Sequence, residues 1–175
     1  EHELGELVRD ESTRVASAAV RGLGAIPDST IAADVIERAL EHPDDRVRAN
    51  AVEAIERLDR LSHVRGELQR LSEGRGNRSR ANAIKAMMTL PMGEALDALR
   101  SMLADEDPRH RASALWVVDQ LGLPDVAQRL VEMSRDDRDA DVRRRALRVA
   151  RRLADRYGEE AAFSYTGAGW REGDA

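Results

Sequence analysis

The sequence predicts an all-α fold, an α-α superhelix (solenoid) of about five stacked helical hairpins, and three observations carry that prediction. A pattern of small and apolar residues running from Asp44 to Leu58 returns four more times along the 175 residues. Its spacing is nearly constant, because the first core position of each copy falls at Val15, Val47, Ser79, His110 and Val142. A second, shorter apolar pattern precedes each copy, as in Ile31, Val35, Ile36 and Leu40 before the second. One hairpin cannot bury its own apolar side, so units of this length stack on their neighbours and share one continuous core.

Each copy reads as an amphipathic helix. After Val47 come Ala51, Val52, Ile55 and Leu58, at offsets of four, five, eight and eleven. The same offsets give Ala19, Val20, Leu23 and Ile26, then Ala83, Ile84, Met87 and Leu90, then Ala114, Leu115, Val118 and Leu121, and finally Ala146, Leu147, Ala150 and Leu153. At about 100° per residue these positions share one side of a helix. Alanine at offset four in every copy predicts that neighbouring helices approach closely there.

The turns divide the chain into hairpins of about 1–27, 28–60, 61–91, 92–123 and 124–156. His2 to Arg9 is the expected first helix, with Ser12 placed to cap the second. Gly22, Gly24 and Pro27 end that helix, and Asp28, Ser29 or Thr30 can cap the next. Pro43 and Asp44 make the turn into the central stretch, where the missing N–H of proline costs little. The third hairpin turns at Gly74, Arg75 and Gly76 with Asn77 as its expected cap, and Pro91 stops its second helix. The fourth turns through Asp105 to Pro108 and ends at Gly122 and Pro124. The fifth turns through Asp136 to Asp139 and runs to about Arg156. The remainder, 157–175, loses the repeat offsets and carries Tyr157, Phe163, Tyr165 and Trp170. It reads as a C-terminal capping tail with a short helix near 159–163, the alternative being a segment that docks on a partner.

Composition narrows the function classes. A net charge of −5 and a pI near 5.5 argue against a protein dedicated to nucleic acid, while leaving room for a local basic face. With no cysteine there is no disulfide or thiolate metal site, and no apolar run approaches the roughly 18 residues that span a bilayer. A cytoplasmic location with no membrane partner is the expectation. The chain starts at Glu1 and not at Met, which suggests part of a longer chain or a processed one. Lys85 is the only lysine among 28 basic residues.

An Asp near the turn, then Val-Arg, then Ala and Leu at fixed spacing resembles HEAT repeats of the short type also found in phycobilisome-lyase-like bacterial proteins. The resemblance spans about 1–156. It is carried best by Asp44, Val47, Arg48, Ala51 and Ile55, and by Asp139, Val142, Arg143, Ala146 and Leu147. The fourth hairpin keeps Asp107, Arg111 and Ala114, whereas the third has Gly76 in place of the acid. The resemblance implies that Arg48, Arg80, Arg111 and Arg143 are structural, each pairing with an Asp six residues earlier. Only Asp105 and Asp137 occupy such positions, since the other two are His42 and Gly74. It also implies that the polar side of each second helix lines a concave surface, the usual place for ligands.

That polar side centres on offsets three, six and ten. It contains Glu53, Lys85, Trp116, Gln120, Arg145, Arg148 and Arg152, which are the candidate partner-binding residues. A large aromatic among polar neighbours suits an interface anchor. Eight arginines between Arg138 and Arg156, against Asp139, Asp141 and Asp155, suit an acidic surface. Catalysis has little support. His2, His42, His63 and His110 never reach the i, i+4 spacing of a zinc helix, and neither a phosphate loop nor a nucleophile motif occurs. No metal or other cofactor is expected. His2-Glu3 supplies only one of the His-Glu dyads that the HEAT-like di-iron hydroxylases need. Trp116 with Asp119 resembles only faintly the concave Trp and Asp of HEAT-like DNA glycosylases. The reading is a non-catalytic scaffold module for a protein partner with an acidic surface. The alternatives are a binder of nucleic-acid phosphates through the same arginines and a lyase-like tetrapyrrole chaperone, which would need an apolar groove.

Overall fold

The computed structural model describes residues 1–158, and among them every regular element is helical. Ten α-helices follow one another: α1 (His2–Leu7), α2 (Thr13–Leu23), α3 (Thr30–Ala39), α4 (Asp45–Arg57), α5 (Arg65–Ser72), α6 (Asn77–Thr89), α7 (Ala95–Leu103), α8 (Pro108–Leu121), α9 (Ala127–Asp136) and α10 (Ala140–Tyr157). Short 3₁₀ turns at Leu61–Val64 and Pro124–Val126 lead into α5 and α9. The chain forms two compact units, Glu1–Leu99 and Arg100 onward. The expected capping tail and its short helix lie outside the described residues, apart from Tyr157 and Gly158.

In the first unit α2, α4 and α6 pack side by side, with α3 against α4 and α5 against α6. The alanines at offset four sit where they touch: Ala19, Ala51 and Ala83 are all buried. A larger side chain there would hold the helices apart and forfeit close packing on both sides. Leu23, Ile36, Ile55, Leu68 and Met87 fill the space around them. Each such side chain contributes about 1.5–3 kcal/mol through burial, so the unit is held mainly by this apolar seam. In the second unit α10 packs against both α8 and α9, and Ala114 and Ala146 again lie fully buried at the contact.

Helix starts follow side-chain chemistry with two corrections. Ser29 accepts from Ala32 N–H at 3.0 Å, Asp44 from Arg46 and Val47 N–H at 2.9 and 3.1 Å, and Asp139 from Asp141 and Val142 N–H at 2.8 and 3.0 Å. Each satisfies donors that the first turn of a helix leaves without partners. Ser12 stands at the cap position of α2 but its hydroxyl makes no capping bond; its own N–H instead donates to Asp10 at 2.8 Å. Asn77 does not cap α6 either. It is the first helical residue, and the cap position belongs to Gly76, which has no side chain to offer. The vacancy is filled from the preceding hairpin: Asp45 accepts from Arg78 N–H at 3.0 Å, from Ser79 N–H at 3.1 Å and from the Ser79 hydroxyl at 2.5 Å. A β-carbon on Gly76 would collide with the Asp45 carboxylate, which fits glycine standing where three other hairpins carry Asp44, Asp107 and Asp139.

Candidate interaction surface

The arginines at offset one are structural, but their partners differ from expectation. Arg48 donates to the carbonyls of His42 and Pro43 at 2.6 and 2.7 Å, Arg111 to those of Asp105 and Glu106 at 2.7 and 2.9 Å, and Arg143 to those of Asp137 and Arg138 at 2.5 and 3.3 Å. What the residue six positions earlier supplies is thus its backbone oxygen. That explains why His42 serves as well as Asp. Arg80, at the same offset, donates from Nε to Ser72 O at 2.8 Å.

The carboxylate arrives from the next hairpin. Asp137 takes both Nε and Nη2 of Arg111, at 2.8 and 2.7 Å, in a two-pronged pair with only 6% of the Asp137 side chain exposed. Burial alone would raise the Asp137 pKa, but the Arg111 fork and the Asp139 N–H outweigh it and hold the carboxyl below its ordinary value. Position 74 is where the same pairing with Arg48 would need an acid, and it is glycine.

Offset three carries a second cross-hairpin link in the first unit. Asn50 donates to the Ser17 carbonyl and hydroxyl at 3.1 and 2.5 Å, and Asn82 to the Ala49 carbonyl and Glu53 carboxylate at 2.9 and 2.8 Å. Two of the candidate contact residues are consequently engaged within the unit. Glu53 holds Asn82, and Lys85 donates to Glu56 at 2.6 Å with only 17% of its side chain exposed. A ligand at either would have to displace an existing bond.

The second unit is different. Trp116 on α8 is half-buried and lines a groove of about 220 Å³ whose far wall is formed by Arg145, Arg148, Val149 and Arg152 of α10. The three arginines lie at spacings of three and four residues, so one face of α10 presents all of them. Arg152 is tied to Asp119 of α8 at 2.5 Å. Arg145 and Arg148 are exposed and have no hydrogen bond or ion pair with any described residue. Gln120 lines an adjoining cavity of about 300 Å³ together with Gly122, Leu153 and Arg156. Beyond it, Tyr157 donates its hydroxyl to Gly122 O at 2.7 Å and fastens the end of α10 to the end of α8.

By contrast, a groove of about 420 Å³ beside α3 and α5 in the first unit is lined by four acids, three of which already have partners. Glu37 pairs with Arg60 at 2.9 Å, and Glu41 and Glu67 share Arg70 at 3.5 and 3.3 Å. Among the described residues no cluster of His, Asp and Glu could hold a metal ion, and no helix is long and apolar enough to cross a membrane.

Stacked two-helix units with a small-residue seam, buried turn arginines and a polar groove define a helical repeat protein of the HEAT and armadillo class. The chain belongs to the HEAT repeat family, whose profile matches residues 2–75 and 64–151. Among solved structures it is similar to a designed armadillo repeat protein in complex with peptide (KR)4, with a TM-score of 0.51 and 16% identity, over 86% of this chain and 80% of that one. This likeness concerns the fold. No curated protein matches.

The sequence showed no sign of Asp45 acting across hairpins except indirectly, through a glycine standing where the repeat pattern has an acid. The Asp119–Arg152 tie had no signal beyond the repeat spacing that makes α8 and α10 neighbours.

Proposed function

We propose that the chain is a non-catalytic protein-interaction module whose contact site is the groove between α8 and α10. The observation that carries this reading is a half-buried Trp116 facing two arginines, Arg145 and Arg148, without partners among the described residues. An aromatic anchor beside desolvatable, forked donors is the composition of an interface centre, and guanidinium groups select for carboxylates. An acidic protein surface is therefore the partner class. The peptide named with the designed armadillo protein is a Lys-Arg repeat, and the arginines of α10 would repel such a ligand.

Binding of nucleic-acid phosphates is the second reading, supported by the same guanidiniums. It predicts affinity falling by orders of magnitude across moderate salt, whereas an anchor-led protein contact loses far less. The deciding experiment is affinity capture with wild type, Trp116→Ala and Arg148→Glu, compared by quantitative mass spectrometry. Partners lost from both variants support the site; a partner set unchanged in both would remove it.

A further inference from the structure

The groove and its neighbouring cavity meet at a shared ion pair, and together they make a track with an internal strut. Both are walled by α8 and α10, and both include Asp119 and Arg152, whose 2.5 Å ion pair crosses between them. On one side of the strut lie Trp116 with the free Arg145 and Arg148; on the other lies Arg156, also exposed and without a partner among the described residues. The track therefore alternates in sign: cationic, then neutralised with the Asp119 carboxylate at its centre, then cationic again.

We infer that this track selects an extended peptide segment bearing two acidic residues about four positions apart, with an apolar residue beside the first and no acid between them. The inference rests on the reading above and specifies its ligand. From Arg148 to Arg156 is eight residues of helix, an axial distance of about 12 Å. An extended chain rises about 3.3 Å per residue, so acids about four apart reach both ends while closer ones do not. A helix is about 10–12 Å across, whereas a single extended strand is thinner, and the extended form is the one whose rise matches the spacing of the two cationic ends. An acid in the middle would meet the Asp119 carboxylate, which already engages the Arg152 guanidinium. Leu115, Val149 and the Trp116 ring give the first subsite its apolar floor.

The test uses the full chain and short fluorescein-labelled peptides containing one leucine, read by fluorescence anisotropy. One peptide carries glutamates at the inferred spacing, others carry them about two or about eight positions apart, and a control replaces both by glutamine. The expected result is about tenfold tighter binding at the inferred spacing than for either other spacing, the worth of one charge-assisted bond. Arg156→Ser should bring the preferred peptide down to the level of an added peptide that keeps only the first glutamate, and leave that peptide's own affinity unchanged. Trp116→Ala should weaken every peptide.

Equal affinity at all three spacings would overturn the inference while leaving the groove as the contact site. Loss of spacing preference without any effect of Trp116→Ala would overturn both. Displacement of the peptide by a stoichiometric single-stranded oligonucleotide would overturn the choice of an acidic peptide as ligand.

Discussion

The two units solve one problem, tying a hairpin to the next with polar bonds, in opposite ways. In the second unit the work is divided among local residues: Asp139 caps its own helix, and Asp137 grips Arg111 of the hairpin before. At the turn into α6 of the first unit both corresponding positions are glycine, Gly76 and Gly74, and Asp45 alone takes on both tasks. It caps α6 from the neighbouring hairpin and also receives Arg48 Nη2 at 3.3 Å. The position that aligns with Asp45 in the fourth hairpin is Pro108, which has no carboxylate, so the two arrangements exclude each other. Polar stitching between repeats is thus set by a few turn positions while the apolar seam stays the same.

That contrast can be broken most forcefully at Arg111. Arg111→Ala leaves the nearly buried Asp137 carboxylate without its partner, and a loss of about 3–5 kcal/mol in urea unfolding is expected. Arg48→Ala should cost only about 1–2 kcal/mol, because its main partners are carbonyls of a turn more open to water. Equal losses at the two sites would mean that the carboxylate pair adds nothing.

Asp45→Ala is next, at about 2–3 kcal/mol, from a lost helix cap and a lost hydroxyl bond. The backbone at Gly76, with φ −82°, accepts any residue, so Gly76→Asp should destabilise the wild type by collision. In the Asp45→Ala background the same substitution should recover about 1 kcal/mol by restoring a local cap. A double-mutant cycle that proved additive would refute the exchange of roles.

Acid titration sharpens the comparison further. Asp137 is held below its ordinary value of 3.8, so it binds fewer protons folded than unfolded. Its contribution is complete above that value and disappears as the pH falls through the lower, folded one. The stability gap between wild type and Asp137→Asn should accordingly narrow as the pH falls through and below 3.8, and a gap that stayed constant would place the effect outside ionisation. A comparably small change is Asn82→Ala, at about 1–2 kcal/mol by thermal unfolding, confined to the first unit because Ser113 and Arg145 replace asparagine in the second.

Much of the fold was legible in the sequence because it depends on spacing. An alanine every 31 or 32 residues, flanked by aliphatic residues at helical intervals, has few solutions other than stacked hairpins. The row holding Trp116, Arg145, Arg148 and Arg152 could be drawn from the same spacing, since equal offsets on successive helices become neighbours. Partners could not be read this way. Whether Lys85 reaches Glu56, or Arg152 reaches Asp119, depends on side-chain length and rotamer across a helix contact, which periodicity does not encode. The acid expected to hold each turn arginine was misassigned for a related reason. A spacing of six residues specifies which chain segments meet, but not whether the carbonyl or the carboxylate of that residue is the acceptor.

The glycine at position 76 also limits how such a chain can grow. A hairpin whose helix is begun by its neighbour's acid cannot be duplicated alone and inserted after the fourth hairpin, where proline would meet it. It can be copied only together with the hairpin that carries Asp45. Lengthening this array by gene duplication, or shortening it by design, has to move those two hairpins as an inseparable couple.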